Sequence, residues 1–434
     1  MRVSILRAAV VLTVGLLTAG SAQEATRLFV PVNVAENVAR QVLVTDPAGG
    51  IHMAMPSITG GGLYYGYCAP GCPGEEAVSE VNFATESNGP GASLALDPQG
   101  RPHLLIYDYL QIGYAWCSGD CRQGSGWNYG ILTSWDQPDL MISGDALAIG
   151  PDGRAHFLVH GTQGFLSSVH ETWYYTCAAD CHLRGNWQGA LIESQQSFQY
   201  PSLHVRNDGV LVMGMIASAN PDLGMDSPLT AYMECAANCL SGDSWTGVGL
   251  FEAYDVLFSS DPGPAVSLGL TADGQPRLAG FATGDDGSAL LVYAACSSNC
   301  LADDAWHIEV LLNSDERSFG SGLDLVLDGA GRPGIAYTVS GNILQASCTA
   351  SCENGESAWD LSVVEAGSEI PSDDIFLYTN CVVGMWFLKD PQISFLPDGR
   401  VAALYTAEDI SFGGAPAVTD PTRPACPIGG DMSL

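Results

Sequence analysis

The sequence predicts an all-β chain, a seven-bladed β-propeller of four-stranded antiparallel blades, with six blades plus stray strands as the alternative. Three observations predict it. A unit of tyrosine, Cys-x3-Cys and tryptophan recurs with a period of about sixty residues, a glycine hairpin turn precedes each copy, and helical periodicity is almost missing between them.

The unit is clearest at Tyr114, Cys117, Cys121 and Trp127. It returns with the same spacings at Tyr174/Cys177/Cys181/Trp187, Tyr232/Cys235/Cys239/Trp245 and Tyr293/Cys296/Cys300/Trp306. Two copies are worn: Cys348/Cys352 has Gln345 for the tyrosine and Trp359 one residue late, while Tyr65/Cys68/Cys72 has Val78 where the tryptophan is due.

In chain order, Arg2 and Arg7, the apolar run Ala8 to Leu17 and the small residues Gly20-Ser21-Ala22 read as a secretory signal over residues 1–22. The run is too short to span a bilayer. The expected mature chain is a single propeller domain, 23–434, exported to the cell exterior, periplasm or cell surface. Its first strand, Arg27 to Asn33, is expected to complete the last blade and close the ring, with Pro31 placed where no ladder bond is needed.

Each blade then opens with an alternating strand and a turn. The turns are Asp46 to Gly50, Asp97 to Gly100, Asp152-Gly153, Asp208-Gly209, Asp273-Gly274, Asp328 to Gly331 and Asp398-Gly399, where glycine supplies the positive φ of a tight hairpin. A second strand follows, a third carries the tyrosine and first cysteine, and a fourth starts near the tryptophan. Blades at 38–90, 91–137, 138–197, 198–259, 260–318, 319–370 and 371–434 result, the last without a Tyr-Cys-Cys-Trp unit. Ala95, Ala148, Gly269 and Ser394 are the small residues expected on first strands crowded around a channel. His204 and Val326 break that pattern, and His204 is expected to point into the channel.

Fourteen cysteines in an exported chain favour disulfides. Twelve form the six short pairs Cys68/Cys72, Cys117/Cys121, Cys177/Cys181, Cys235/Cys239, Cys296/Cys300 and Cys348/Cys352; Cys381 and Cys426 are left to pair with each other. Closing so short a loop contributes about 2 kcal/mol or less, so its value is local. It fixes the turn and lets the tryptophan pack in one place against the neighbouring blade. The position resembles that of the Asp-box in sialidase-like propellers, a turn between third and fourth strands with an aromatic after it. Over residues 38 to 410 the chain is similar to secreted bacterial propeller repeats, with a disulfide in place of the Asp-box residues, and this resemblance implies no single activity.

The formal net charge of −33 comes from 15 basic against 48 acidic residues, with Lys389 the only lysine. Such a field repels nucleic acid and anionic lipid. His52, His103 and His156 each sit three residues after a turn glycine. As repeat equivalents they stand a blade apart, which suits hairpin capping better than convergence on one metal ion. Arg101, Arg154, Arg332 and Arg400 follow turn glycines, and Arg122 and Arg184 lie in cysteine loops, so few remain for the three-arginine carboxylate clamp of a sialidase.

The expected binding face is therefore the opposite one, built by connections between blades and between second and third strands. Its candidate ligand residues are Trp135, Asp136, Asp222, Asp226, Asp285, Asp286, Asp373, Asp374 and Trp386. No cofactor is expected, with calcium kept as a candidate ion because such loops carry aromatics and acids. No catalytic set can be chosen among so many acids. The expected function is a non-enzymatic binding or scaffold module for carbohydrate or a protein partner. The alternative is a glycan-cleaving hydrolase or lyase, which requires convergent, perturbed carboxylates or a His/Tyr pair, and the second alternative is a structural cell-surface protein.

Overall fold

The computed structural model describes residues 41–409 except 57–61, 72–78, 84–90, 108–110, 135–139, 142–144, 163–169, 195–197, 220–224, 255–265, 315–318, 355–356 and 368–385. The chain is all-β. Blade one is β1 (Val42–Thr45), β2 (Ile51–Pro56), β3 (Leu63–Cys68) and β4 (Ser79–Phe83), paired antiparallel in that order. Blade two is β5 (Gly91–Leu96), β6 (Pro102–Tyr107), β7 (Gln111–Cys117) and β8 (Trp127–Ser134). Blade three holds β10 (Leu147–Ile149), β11 (Ala155–Thr162), β12 (His170–Cys177) and β13 (Gln188–Glu193), with the two-residue β9 (Leu140–Met141) paired to β11.

Blade four is β14 (Phe198–Val205), β15 (Leu211–Ala217), β16 (Leu229–Cys235) and β17 (Thr246–Glu252). Blade five is β18 (Val266–Leu270), β19 (Pro276–Thr283), β20 (Ala289–Cys296) and β21 (Trp306–Ser314). Blade six is β22 (Phe319–Leu327), β23 (Pro333–Val339), β24 (Asn342–Ala350) and β25 (Ala358–Ala366). A two-stranded sheet of β26 (Trp386–Phe395) and β27 (Val401–Asp409) follows.

Among the described residues there are six four-stranded blades and a two-stranded sheet, so the seven-bladed expectation is corrected to its six-bladed alternative. The signal lies in the sequence: the seventh unit has the Asp398-Gly399 hairpin but no Tyr-Cys-Cys-Trp unit, the part that supplies third and fourth strands in the other blades. The first strands touch in succession around the channel, and β26 meets both β22 and β1. Gln41 Nε2 donates to the Asp390 carbonyl at 2.8 Å, and Leu43, Met53 and Met55 pack on Ala402 and Leu404. The expected strand over Arg27 to Asn33 lies outside the described residues.

The turns behave as hairpin chemistry requires. Gly100 and Gly153 have φ of +75° and +78° with nothing within 4 Å of where a Cβ would stand, so conformation rather than space demands glycine there. At Gly269 the small residue has a different reason from the one expected. A Cβ there would lie 2.8 Å from Leu325 Cδ2 and 3.3 Å from Leu327 Cγ, so the crowding is against the next blade.

Blades are joined by the repeated aromatics. Each tryptophan stands edge-on to the tyrosine of the preceding blade: Tyr65–Trp127 at 4.6 Å between centroids, Tyr114–Trp187 at 5.2 Å, Tyr174–Trp245 at 5.6 Å, Tyr232–Trp306 at 5.0 Å and Tyr293–Trp359 at 5.0 Å. The cysteine loop aims the indole. Trp127, Trp187, Trp245 and Trp306 each donate Nε1–H to the carbonyl of the second cysteine, at 2.6–3.0 Å.

The expected short disulfides are present at Cys117–Cys121, Cys177–Cys181, Cys235–Cys239, Cys296–Cys300 and Cys348–Cys352, with Cα atoms 5.6–5.9 Å apart. Their second cysteines do more than staple. Cys181 is buried in the core shared by blades two and three, and Cys239, half-buried, packs on the core shared by blades three and four. Cys68 is also disulfide-bonded, while Cys72, Cys381 and Cys426 lie outside the described residues.

Trp306 is 7% exposed and fully engaged. Its replacement, Trp306→Ala, is expected to lower unfolding stability by about 3–5 kcal/mol, the range for large aromatics removed from a core. Denaturant titration with the disulfides intact checks this; a loss below about 1 kcal/mol would show that the aromatic contact does not hold blades four and five together.

Candidate functional site

The edge of each first strand that faces the channel has no partner within its own sheet, so its amides must be satisfied across blades. One position does this repeatedly. Ala146 N–H donates to Ser93 Oγ at 3.2 Å, Leu268 N–H to Ser202 Oγ at 3.1 Å, and Leu325 N–H to Ser267 Oγ at 3.0 Å. Where blade three has Ala146 in that register, the backbone substitutes: Leu203 N–H donates to the Asp145 carbonyl at 2.9 Å. Blade six uses a carboxylate. Ile393 N–H donates to Asp324 Oδ2 at 2.8 Å, and Ser267 Oγ–H donates to Oδ1 at 3.3 Å.

Asp324 is 5% exposed and so is a buried acid in a row of serines. Burial pushes its carboxyl up to about 7, and the negative charge of Asp145 adds to the rise, while the bonds from Ile393 and Ser267 pull the other way. Asp145 is half-buried just before the first strand of blade three. The two acids are far apart in the chain and in different blades. The ring brings the Asp145 charge close enough to add to the rise at Asp324, whose carboxyl is held partly protonated near neutral pH.

Nothing in the composition pointed to these two residues. The signal present was an acid, Asp324, standing one residue before a leucine where Ser93, Ser202 and Ser267 stand in the repeat. His204 lies at the next inward position of blade four, against the Leu268 carbonyl and 3.4 Å from Ser202 Oγ. Burial lowers its pKa to about 4, so the ring is neutral at pH 7.

The three turn histidines do not converge. His52 and His103 accept the Tyr65 and Tyr114 hydroxyls on Nδ1 at 2.7 and 2.6 Å and turn Nε2 to Asp46 and Asp97, at 3.4 and 3.5 Å. His156 meets Tyr174 at 2.6 Å. Burial lowers His103 and His156 to about 4 and raises Tyr65 and Tyr114, which makes each imidazole neutral and each hydroxyl the donor. These chains are buried inside single blades and cap the hairpins. Among the described residues no three His, Cys, Asp or Glu side chains form a metal site.

The arginines are likewise bound to their own turns. Arg101 pairs with Asp97 at 2.6 Å, Arg122 with Asp120 at 2.8 Å, Arg332 with Asp328 at 2.7 Å and Arg400 with Asp398 at 2.8 Å. A polar cleft of about 460 Å³ opens on that turn face between blades four and five, but its Arg206 is spent on Asp208 and Glu234. The cysteine loops serve the tryptophans: the Cys181 carbonyl receives the Trp187 indole at 2.6 Å and the Cys239 carbonyl that of Trp245 at 3.0 Å.

Of the loop residues expected to bind ligand, Asp226 is exposed beside β16, and Asp285 and Asp286 sit exposed in the turn between β19 and β20, where Asp286 accepts the Ser288 amide at 3.1 Å. Trp386 begins β26 opposite Asp409. Trp135, Asp136, Asp222, Asp373 and Asp374 lie outside the described residues.

No protein-family model matches the chain, and no curated protein does. Solved structures similar in shape include polysaccharide lyase Uly1, at 12% identity and TM-score 0.48 over 92% of this chain and 91% of that one. Another is the Penicillium chrysogenum alpha-L-arabinanase complexed with arabinobiose, at 11% identity and TM-score 0.45 over 76% and 93%. The Hadza microbial sialidase Hz136 is similar at 12% identity and TM-score 0.42 over 83% and 76%. At such identities these likenesses assign no activity.

The raised pKa of Asp324 fixes a sign. A carboxyl raised from 3.8 to about 7 on folding favours the protonated protein, so its contribution to stability is full below about pH 4 and lost as pH rises through about 7. Asp324→Asn keeps both bonds, its carbonyl accepting from Ile393 and its amide donating to Ser267 Oγ. The variant is expected to match the parent in acid and to exceed it above pH 7. Urea midpoints from pH 4 to 8 check this, and parallel curves across that range would contradict it.

Proposed function

We propose that this protein is an exported, carbohydrate-active propeller that cleaves glycosidic linkages at the channel, with Asp145 and Asp324 as its carboxylate pair. What supports the reading is the buried Asp324, raised to about 7 first by burial and then by the charge of Asp145 from another blade. Glycoside cleavage needs a protonated carboxyl for the leaving oxygen and an ionised one for water or the sugar carbon. Asp324 suits the first task by its burial. Asp145, half-buried, suits the second and is the group with access to a ligand. The disulfides suit an oxidising compartment, and among the described residues no helix is long and apolar enough to cross a membrane.

One observation favours the non-enzymatic binding module as a second reading. The oxygens of Asp324 already accept from Ile393 and Ser267, bonds that also make it a clamp between blades.

Turnover separates the two readings. The oxidised mature protein, presented with a panel of neutral and acidic polysaccharides, is expected to release reducing ends or unsaturated products from at least one. Asp145→Asn is expected to lower that rate by about 10²-fold or more, in line with loss of an acid–base group, at unchanged melting temperature. Binding without product on every glycan would establish the module, and undiminished turnover by the Asp145→Asn variant would remove the carboxylate assignment.

A further inference from the structure

The repeated tyrosine has two tasks: its ring meets the next blade's tryptophan, and its hydroxyl needs an acceptor inside its own blade. In blades one to three the acceptor is the turn histidine, with Tyr65, Tyr114 and Tyr174 bonded to Nδ1 of His52, His103 and His156 at 2.6–2.7 Å. Register makes the pair. Each tyrosine stands opposite the residue two places beyond the histidine, as Tyr114 stands opposite Leu105 while His103 faces Trp116. Blade four has Val212 in the histidine position, and there the Tyr232 hydroxyl donates to Glu234 Oε1 at 2.8 Å instead.

Blade five keeps the register and changes the chemistry. Arg277 stands in the histidine position, opposite Ala295, and Tyr293 stands opposite Ala279, two residues on. Both side chains are fully buried. Burial raises the Tyr293 hydroxyl above its usual range, so it keeps its proton, and the nearby Arg277 charge pulls the other way. A guanidinium has five N–H donors and no acceptor. Arg277 Nη1 donates to the carbonyls of Pro276 and Cys296 at 3.0 and 2.8 Å, and Nη2 to Gln275 Oε1 at 3.1 Å and to Glu353 Oε1 of blade six at 2.5 Å. Arg277 Nε–H and the Tyr293 hydroxyl are buried without a hydrogen-bond partner among the described residues. Two donors therefore meet where the other blades pair a donor with an acceptor.

Each such donor left buried and unpaired costs about 1–3 kcal/mol, so a third group is needed to accept both hydrogens. The register leaves room for one. Opposite the histidine position, blades one to four carry Tyr67, Trp116, Thr176 and Glu234, and blade five carries only the methyl group of Ala295. A water molecule would accept both hydrogens but bring two more into the apolar core that holds Ala279, Tyr293 and Ala295. A halide accepts both and brings none. The Arg277 charge favours it, because the carboxylate partner Glu353 is 56% exposed and screened by solvent.

We propose that Arg277 Nε and the Tyr293 hydroxyl bind a small monovalent anion, a halide, inside blade five. The site lies at the seam with blade six, where Trp359 meets Tyr293 and Glu353 meets Arg277, and it makes the stability of that seam depend on the halide content of the medium.

Sodium chloride is the probe, used on the oxidised mature protein, with sodium gluconate at equal ionic strength as the control for screening. Above saturation, each tenfold rise in chloride is expected to raise the folded-to-unfolded ratio about tenfold relative to gluconate. Crystals soaked in sodium bromide are expected to show an anomalous peak against Arg277 Nε and Tyr293 Oη. Arg277→His rebuilds the tyrosine–imidazole pair of blades one to three and is expected to abolish the chloride dependence. Should that variant not fold, Tyr293→Phe removes one donor and is expected to weaken the apparent chloride affinity about tenfold or more. Equal responses to chloride and gluconate, an ordered water without bromide at that position, or an unchanged chloride dependence in the folded variants overturns the proposal.

Discussion

The contact on which the ring depends is the edge-on meeting of a tryptophan with the tyrosine of the preceding blade. Each blade is a small sheet that cannot bury its two faces alone, so the molecule exists only as a stack of such contacts. Five of them, with centroids 4.6–5.6 Å apart, link blades one to six. The disulfide is subordinate to this. It holds a turn whose second cysteine carbonyl receives the indole N–H, and thereby sets the angle at which the indole reaches its partner.

Nearer the axis the problem changes from apolar burial to backbone satisfaction. First strands present amides toward the channel, and the chain answers with Ser93, Ser202 and Ser267, with a backbone carbonyl at Asp145, and with a carboxylate at Asp324. A serine in that position is electrically neutral and costs little. An aspartate there places a charge in the interior, and its raised pKa is the direct result. The feature proposed as catalytic thus arises from a structural position filled by an unusual residue.

The worn repeats find their explanation at the seventh position. Gln345 and Val78 look like decay of a motif, yet each stands where its aromatic partner would have to come from a blade that is not four-stranded among the described residues. Blade count was the part of the fold that the repeat overstated, because the Asp398-Gly399 hairpin announces a blade while the missing Tyr-Cys-Cys-Trp unit withholds half of it. Hairpins, cysteine pairs and the indole's role were legible because they are local or recur with fixed spacing. The histidines too were legible: their equivalence in the repeat already placed His52, His103 and His156 in separate blades.

What the sequence determined by itself was the all-β ring of antiparallel blades, its staples and its inter-blade aromatics, since periodicity and turn chemistry are written residue by residue. What only the tertiary structure decided was the count of four-stranded blades among the described residues and the effect of the Asp145 charge on Asp324. Two acids in blades three and six have no joint signature along the chain. Their interaction depends on distance and burial, and both are set by the closure of the ring.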